Sequence, residues 1–473
     1  MNALRICRFS IFCILAIANC VFAIDKTETV KKEIAVSIDA KQAEYAEIAK
    51  QIWGFAELAF TEVKSSSLLQ SKLKEDGFSV EAGVAGLETA FVATYGKGKP
   101  VIGIIAEFDA LPGMSQQAIP ECKPIVEGAP GHGCGHNLFG TGSVAAAIAA
   151  KDWLAKSNSS GTIRVYGTPA EEKSAAKVQM AQAGLFDDVD FVLCWHPQGE
   201  NNASPQTTIA VISAKFRFYG RSSHASIAPE QGRSALDGVE AMNYMVNLMR
   251  EHIPADSRIH YVITQGGVAP NIVPDFAEAY YFIRDYKTET LKDIWFRVVD
   301  AAEGAAKGTG TRVEYEILGG NHSMFANETL ARLMDKNLRL IGGVKYTAEE
   351  KTFAEAVSKT LGKDSRDIAS AQEIQPYEPK NIKGSTDIGD VSMIAPTAEV
   401  LTATWVPGTT SHSWQATAAS GMSIGEKGMI VAAKTMAFTA IDIFMNPSYA
   451  EQARKELEEK RGANFKYRPL PSW

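Results

Sequence analysis

Cysteine is scarce in this chain, which has 6 of them among 473 residues. Half of them lie near the N-terminus, and the others are Cys122, Cys134 and Cys194. An odd remainder does not describe a disulfide framework; a bridge between Cys122 and Cys194 is an alternative to a buried free thiol at Cys194. With 45% hydrophobic and 22% charged residues, the chain can bury a large core and is long enough for two domains.

Runs of basic residues and internal repeats are also missing. The formal net charge is −7, and it becomes −9 without residues 1–23, which contain two arginines and no acidic residue. A protein that binds nucleic acid carries a basic patch for the phosphates, so no nucleic-acid partner is expected. The sequence has no repeat of the kind that builds a solenoid and no low-complexity tract typical of a disordered chain. The composition is typical of an ordinary globular protein.

The apolar run near the N-terminus is too short to span a membrane. Ile11–Ala18 follows two arginines and precedes Val21–Ala23, which offers the small residues that signal peptidase requires. A membrane-spanning helix needs about 20 apolar residues. Residues 1–23 are therefore predicted to be a cleaved signal peptide, and the mature protein is expected to be periplasmic or secreted, without a membrane span. An uncleaved anchor and a lipid anchor at Cys20 are the alternatives.

Three short runs of β-forming residues end close to polar side chains. Val101–Ala106, Thr162–Gly167 and Asp190–Trp195 are predicted strands, and the Ala-rich stretch Ser143–Ala155 is a predicted helix between the first two. This order is typical of a mostly parallel sheet, in which ligands collect at the carboxyl ends of the strands. The side chains expected to converge there are Asp109, Glu171, Glu172 and His196.

Residues 211–320 have a different pattern, in the order strand, helix, strand, strand, helix, strand. The predicted strands are Val211–Tyr219, Arg258–Gln265, Ala277–Tyr286 and Thr311–Leu318, and the predicted helices are Ser234–Glu251 and Thr288–Gly304. This order is the split βαβ plan of a ferredoxin-like domain. Such a domain would interrupt the first one, whose two parts are residues 24–210 and 321–446.

Further predictions concern the C-terminal part of the chain. One helix is predicted over Ser413–Met445. A tail is expected to follow over residues 447–473, with a solvated helix over Ala450–Arg461 whose acidic and basic residues are spaced for ion pairs.

The segment Gly131–Asn137 contains Cys134 and His136 among glycines. Thiolate, imidazole and carboxylate are the ligands that Zn²⁺ accepts together. Each feature alone also has a simpler interpretation. The cysteine and histidine fit a Gly-rich loop, and the adjacent Glu171 and Glu172 fit the first turn of a helix, where the helix dipole favours acidic residues. Their combination at predicted strand ends favours a metal site.

Several motifs together resemble those of the M20 metallopeptidases, in particular the amidohydrolase branch of that family. They are Glu107–Pro112, Gly131–Asn137, Pro169–Glu172 and Ser222–Ala225. Other runs are similar to the aminobenzoyl-glutamate hydrolases within that branch: Gly232–Asp237, Arg258–Thr264, Ala269–Glu278 and Gly384–Ser392. The resemblance covers residues 40–445. It implies a zinc-exopeptidase-type α/β sandwich with an inserted ferredoxin-like α+β domain that serves as a lid and for dimerisation.

The resemblance also implies which residues hold two divalent metal ions, with zinc as the expected metal and manganese as the alternative. The implied ligands are Cys134, His136, Glu172, His196 and His412. Glu171 would be the general base. Asp109 is expected to orient a ligand, because Glu107 stands where the wider family has the histidine of a His-x-Asp pattern. His132 is left out of the ligand set, and a ligand role for Asn137 is in doubt.

The inserted domain supplies the remaining site residues that the resemblance implies. His224 would reach across a dimer to stabilise the carbonyl oxygen as it becomes an oxyanion. Asn271 and Arg284 would hold a carboxylate of the substrate, Arg284 through its planar fork of donors. Each of these residues also fits an exposed structural position.

The predicted function is hydrolysis of the amide bond of an N-acyl or N-aroyl amino acid, with p-aminobenzoyl-glutamate as the leading candidate. The protein would act as a homodimer or with a sister subunit. An aminoacylase or dipeptidase of the same family is an alternative. Two other classes remain open: a metal-free amidase with Cys134 as the nucleophile, and an exported binding protein without turnover.

Overall fold

The computed structural model describes residues 27–157, 159–173 and 176–472. The predicted signal peptide and Cys20 lie outside this part of the chain. Cys122, Cys134 and Cys194 all have free thiols. The described residues form two domains, each with its own sheet and its own hydrophobic core.

A six-stranded mixed sheet forms the centre of the first domain. Its strands, in spatial order, are β1 (Ser79–Ala82), β2 (Phe91–Lys97), β4 (Gly161–Gly167), β3 (Val101–Ala106), β5 (Phe191–Gln198) and β12 (Thr397–Ala403). β4, β3, β5 and β12 are parallel, whereas β1 and β2 pair antiparallel. All side chains of β3 are buried, as expected for a parallel strand covered on both faces.

Helices cover both faces of this sheet. α4 (His136–Lys156) packs on β3, β4 and β5 and on the long α12 (Ser423–Met445). Trp195 of β5 points to this layer, because its Nε1 donates to Phe139 O at 3.0 Å. Side chains alternate along a strand, so Cys194 faces the opposite layer, which contains α5 (Ala176–Gln182) and α10 (Ile388–Ser392). The predicted α/β sandwich is confirmed.

The remaining elements of this domain surround the sandwich. The helices are α1 (27–40), α2 (Gln42–Phe55), α3 (Val63–Glu75), α8 (Glu328–Ile341), α9 (Ala348–Thr360), α11 (Trp414–Ser420) and α13 (Ser448–Arg461). A small parallel pair joins β6 (Gln206–Thr207) to β11 (Lys380–Asn381).

The second domain is an antiparallel sheet covered by two helices, and we call it the lid. Its strands lie in the order β10 (Arg312–Asn321), β7 (Ala210–Tyr219), β9 (Phe276–Asp285) and β8 (Arg258–Gln265). The helices α6 (Ala235–Met249) and α7 (Thr288–Thr309) pack on each other and on this sheet. This arrangement is the ferredoxin-like plan, so the predicted two-domain fold class is confirmed.

The helix predicted over Ser413–Met445 is interrupted, and this part of the prediction is wrong. α11 ends at Ser420 and α12 begins at Ser423. The indole N–H of Trp53 donates at 2.9 Å to Thr417 O, the carbonyl that Gly421 N–H would use in a continuous helix; Gly421 N–H instead donates to Ala418 O. The break thus lies at a contact with α2, a distant helix that local periodicity does not encode.

The C-terminal helix is not solvated on all sides, contrary to the prediction. Ala453 and Leu457 of α13 are buried. The Glu456 carboxylate accepts the backbone N–H groups of Glu328 and Thr329, at 2.6 and 2.9 Å. These are the free donors at the start of α8, where a negative charge is stabilising. The helix therefore belongs to the first domain.

Residues 462–472, which we call the C-terminal strap, contact both domains. Tyr467 donates its hydroxyl hydrogen to Asp390 Oδ1 of α10 at 2.7 Å. His322 Nε2 hydrogen-bonds Arg468 O at 2.8 Å just after β10. Leu470 is buried in the core of the lid. The strap therefore crosses the connection between the two domains.

One helix within the described residues, α12, is long and apolar enough to cross a membrane. Its apolar window is 89% buried inside the protein. The helix packs on α4 and on β12. This burial is what a core helix of a globular domain requires, and length and composition alone are weak evidence for a span.

We expect Leu470→Ala to lower the free energy of unfolding by about 2–4 kcal/mol, because it leaves a cavity in the core of the lid. Leu340→Ala is the control, since Leu340 is 57% exposed and its change is expected within about 0.5 kcal/mol of zero. Urea unfolding of both variants measures the difference. Equal stability of the two variants would show that the strap does not dock on the lid.

Candidate functional site

The loops after β3, β4 and β5 meet at one edge of the central sheet. Asp109 follows β3, a single 3-10 turn after β4 contains Glu171 and Glu172, and His196 lies near the end of β5. These three strands are parallel neighbours, so their carboxyl ends point the same way. The side chains lie where the strand pattern predicts them.

The predicted metal ligands form two groups that share one residue. In each group the potential ligand atoms, one from each residue, lie within 4.8 Å of one another. The groups are Cys134 with His136 and His196, and Cys134 with Glu172 and His412. The structure thus brings all the predicted ligands together. Two groups of ligands that share the Cys134 thiol could hold a pair of metal ions.

The Asp109 carboxylate joins two of these ligands. Its Oδ1 accepts a hydrogen bond from His136 Nδ1 at 2.9 Å, and its Oδ2 accepts the backbone N–H of Glu172 at 3.0 Å. The other ring nitrogen of His136, Nε2, points away from Asp109 and lies 3.2 Å from Glu107 Oε2. Asp109 is 1% exposed; burial opposes its ionisation, but the charge of His136 and these hydrogen bonds lower its pKa.

His196 is oriented by its own strand. Its Nδ1 lies 2.8 Å from Pro197 O and donates to it, and its Nε2 lies 3.5 Å from Cys134 Sγ. A backbone acceptor on one ring nitrogen sets the tautomer and aims the other nitrogen at a metal. Both imidazoles of the first group thus present Nε2 to the same space.

The donor atoms present fit a divalent metal pair. Within the described residues, His136 Nε2 and Glu172 Oε1 are buried and make no hydrogen bond. Buried polar atoms normally have a partner, and a bound metal ion would provide one for both atoms. Thiolate sulfur, imidazole nitrogen and carboxylate oxygen together are a donor set for Zn²⁺.

Cys134 lies in surroundings that favour its thiolate. Burial opposes ionisation, but the charges of His196 and His136 outweigh it and lower the pKa of the thiol to about 6. Thiolate is the form that binds a metal and also the form that attacks a carbonyl. The low pKa of Cys134 therefore supports a functional cysteine. It fits a metal ligand and a nucleophile equally well.

His412 enters the site on a strained loop after β12. Its φ is 58°, its N–H donates to Gly133 O at 2.9 Å, and its Nε2 lies 3.4 Å from Glu172 Oε2. A non-glycine residue in the left-handed region persists only where its surroundings hold it. Gly408 of this loop packs closely against Asp364 O. A Cβ on residue 408 would lie 2.1 Å from that oxygen, so the segment around Asp364 also holds the loop in place.

Glu171 lies beside the ligand groups and forms a third set with Glu107 and His136, whose potential ligand atoms also lie within 4.8 Å of one another. Burial and then the negative charge of Glu107 raise the pKa of Glu171 well above its ordinary value. A carboxylate with a raised pKa is a stronger base, as general base catalysis near neutral pH requires.

Below the site lies a buried ion-pair cluster that the sequence pattern does not predict. Lys177 Nζ lies 2.8 Å from Glu107 Oε1 and 2.5 Å from Asp387 Oδ1, and all three side chains are buried. A buried lysine needs such partners to keep its charge. The sequence held one signal of this cluster, because Glu107 stands where the wider family has the histidine of its His-x-Asp pattern. Nothing in the sequence of α5 distinguishes Lys177.

Two residues of the Gly-rich segment have structural partners. His132 Nε2 hydrogen-bonds Ile52 O at 3.0 Å, and Asn137 Nδ2 donates to Ala49 O and Ser420 O. Neither residue belongs to a ligand group within the described part of the chain. Both contacts join the segment to α2 or to the end of α11.

Two of the predicted lid residues lie together on the lid. The segments of His224 and Asn271 pair, with Ala225 N–H donating to Asn271 O at 3.0 Å. The backbone N–H groups of Ser226 and Ile227 donate to His224 Nδ1. His224 Nε2 therefore carries the proton and is a donor. Within the described residues of one chain, His224 belongs to no ligand group.

Arg284 lies at the other end of the lid. β9 separates it from Asn271, and this strand of 10 residues is about 33 Å long. The Nη1 of Arg284 donates to Ser385 Oγ of the first domain at 2.8 Å. One chain therefore does not bring Asn271 and Arg284 to the same carboxylate.

Comparison with known proteins agrees with this geometry. Residues 210–309 match the peptidase dimerisation domain. The chain is 38% identical to a subunit of p-aminobenzoyl-glutamate hydrolase from Escherichia coli (strain K12), over 92% of this chain and 96% of that protein. It is 27% identical to the Xaa-Arg dipeptidase from Mus musculus, over 92% of this chain and 93% of that protein.

A solved structure has the same fold. The dinuclear metal-binding peptidase of the M20 family from Bacillus subtilis superposes with a TM-score of 0.60 at 19% identity, over 86% of this chain and 99% of that one. With 86% of this chain covered, the match extends into both domains. From the sequence identity over almost the full length, the chain belongs to the M20 peptidase family and is a hydrolase that acts on amide bonds.

Proposed function

We propose that this protein hydrolyses the amide bond of N-acyl or N-aroyl amino acids such as p-aminobenzoyl-glutamate, with Glu171 as the general base beside two divalent metal ions. The observation that carries the proposal is the pair of ligand groups around Cys134, with Glu171 next to them. The name of the E. coli relative supports this substrate class. The name of the mouse relative supports a dipeptidase as the second candidate.

The five predicted ligands would hold the two ions. When bound, the metals would polarise the amide carbonyl and lower the pKa of the attacking water. The mixed sulfur, nitrogen and oxygen donors favour zinc, with manganese as the alternative if Cys134 does not bind. Asp109 keeps His136 and Glu172 in place through its two oxygens, which limits the movement of the ligands.

Glu171 is proposed to move the proton in both halves of the reaction. Its carboxylate accepts a proton from the attacking water and returns it to the nitrogen of the leaving amine. Burial and the nearby Glu107 raise the pKa of Glu171, which favours uptake of this proton. Glu172, although adjacent, faces His412 and serves as a ligand.

His224 is proposed to donate its Nε2 hydrogen to the carbonyl oxygen as negative charge develops there. The protonation of Nε2 follows from the two backbone N–H groups on Nδ1. We infer that His224 acts in the site of a second chain, because it lies with Asn271 at the end of the lid opposite Arg284, which contacts the first domain of its own chain.

The separation of Asn271 and Arg284 supports the same arrangement. In a dimer, Asn271 of one lid and Arg284 of the other chain could hold one substrate carboxylate. β8 is an edge strand of the lid sheet, with Val262 and Ile263 exposed, and such an edge is suited to pairing with another chain. The partner would be a second copy or a sister subunit.

We also propose that the mature protein is exported, because residues 1–23 have the pattern of a signal peptide.

The proposed function predicts that the purified protein contains two metal ions per chain and releases p-aminobenzoate from p-aminobenzoyl-glutamate. Removal of the metals with a chelator should abolish release, and added Zn²⁺ should restore it. Metal analysis and product detection measure both effects. Turnover that survives chelation would instead favour a metal-free amidase with Cys134 as the nucleophile, and metal without turnover on a panel of acyl amino acids and dipeptides would favour a binding protein.

We expect Glu171→Gln to lower kcat by about 10²- to 10⁴-fold, because the amide cannot accept the proton from water. The variant should keep its metal content, since Glu171 is not a proposed ligand. Glu172→Gln is the matched variant next to it and should lose metal. Wild-type turnover in Glu171→Gln would refute its role as the base.

Coexpression of Glu171→Ala and His224→Ala chains tests whether His224 acts across a dimer. Each variant alone should be nearly inactive. Random pairing of a two-fold homodimer places one complete site in each mixed dimer, so about a quarter of the wild-type activity should return. Affinity purification through tags on both chains isolates the mixed dimer. No recovered activity in that dimer would contradict the exchange of His224 between copies.

A further inference from the structure

Ala170, which directly precedes the proposed base, has an unusual backbone. Its φ is 56° although it is not glycine, and it is fully buried. Residues in this region of φ and ψ persist only when neighbouring groups hold them. Pro169 before it has no N–H, so the N–H of Ala170 is the donor that a neighbour can use to hold the start of the turn.

That donor binds a residue from a distant part of the chain. Ala170 N–H donates to Glu62 Oε1 at 2.8 Å, and Glu62 Oε2 accepts the hydroxyl hydrogen of Thr89 at 3.0 Å. Glu62 is fully buried. Both of its oxygens are therefore occupied, and the carboxylate has a defined position.

Glu62 stands at the start of α3 but its side chain does not cap that helix. The cap is supplied by Glu57, whose carboxylate accepts the N–H groups of Lys64 and Ser65 at 3.0 and 2.9 Å. A buried acid that serves no ordinary helical role needs another reason to be there, because its burial without compensation is costly. Its contact with Ala170 provides that reason.

From this geometry we infer that Glu62 is a positioning residue, which directs Glu171 toward the reacting water by holding the backbone of Ala170 in its left-handed conformation. The inference rests on the proposed function, since it takes Glu171 as the base. The adjacent acids must point to different places, Glu171 toward Glu107 and His136 and Glu172 toward His412. The turn that separates them begins at Ala170.

Two carboxylates therefore hold this turn at alternate residues. Glu62 binds the N–H of residue 170, and Asp109 binds the N–H of residue 172. Asp109 also binds a ligand side chain, His136, so its loss would disturb the metals. Glu62 binds only the turn and Thr89 among the side-chain hydrogen bonds described. It can be changed without touching a proposed ligand.

The test compares Glu62→Ala with Glu62→Gln on p-aminobenzoyl-glutamate, or on the amide substrate that the wild-type protein hydrolyses. Removal of the acceptor should lower kcat by about 10- to 100-fold, the effect of an ångström-scale misplacement of a catalytic group. KM should stay within about 2-fold, and metal content should not change, because neither depends on Glu171. Gln keeps the acceptor and can donate to Thr89, so it should restore most of kcat.

Glu57→Ala is the control for a general effect on α3, since it removes the helix cap and leaves Ala170 bonded; it should keep its kcat. If Glu62→Ala does not fold, Thr89→Val removes the hydrogen bond that fixes the other oxygen of Glu62 and should lower kcat by a smaller factor. Normal kcat in Glu62→Ala, or equal losses in Glu62→Ala and Glu62→Gln, would overturn the inference. Normal kcat in Glu171→Gln would instead refute the proposed function.

Discussion

The two oxygens of Asp109 support the architecture of the site. One accepts a hydrogen bond from His136 at the start of α4, and the other accepts the backbone N–H of Glu172 after β4. Because Asp109 itself follows β3, a single buried carboxylate joins three elements that are far apart in sequence. The two ligand groups depend on this junction, since it sets the direction of His136 and the position of Glu172.

The charges below the site connect it with the rest of the protein. Lys177 on α5 binds Glu107 after β3 and Asp387 before α10. Asp387 lies two residues from Ser385, which accepts a hydrogen bond from Arg284 of the lid. Removal of one charge from such a buried cluster leaves the others uncompensated. The cluster therefore joins the loop after β3 to the opposite helical layer, and the contact of the lid with Ser385 lies next to it along the chain.

The lid has two ends with different surroundings. At one end, Arg284 contacts the first domain, and the C-terminal strap adds Leu470 to the core of the lid. At the other end, His224 and Asn271 lie together and belong to no ligand group within the described residues. One end of the lid is therefore joined to the first domain, and the pair of residues proposed to act in a second chain lies at the other end.

The sequence by itself determined the class of fold and the strands whose ends carry the predicted site residues. Strand periodicity located β3, β4 and β5, and parallel order implied that Asp109, Glu171 and His196 would meet. The sequence pattern does not predict the helix break at Gly421 or the docking of α13. Both involve contacts with distant residues such as Trp53 and Glu328. Only the tertiary structure showed Lys177 as a buried cation and Glu62 as the partner of Ala170. A lone lysine or glutamate in a helical pattern carries no sign of burial, and its role is decided by the groups that folding brings within hydrogen-bond distance.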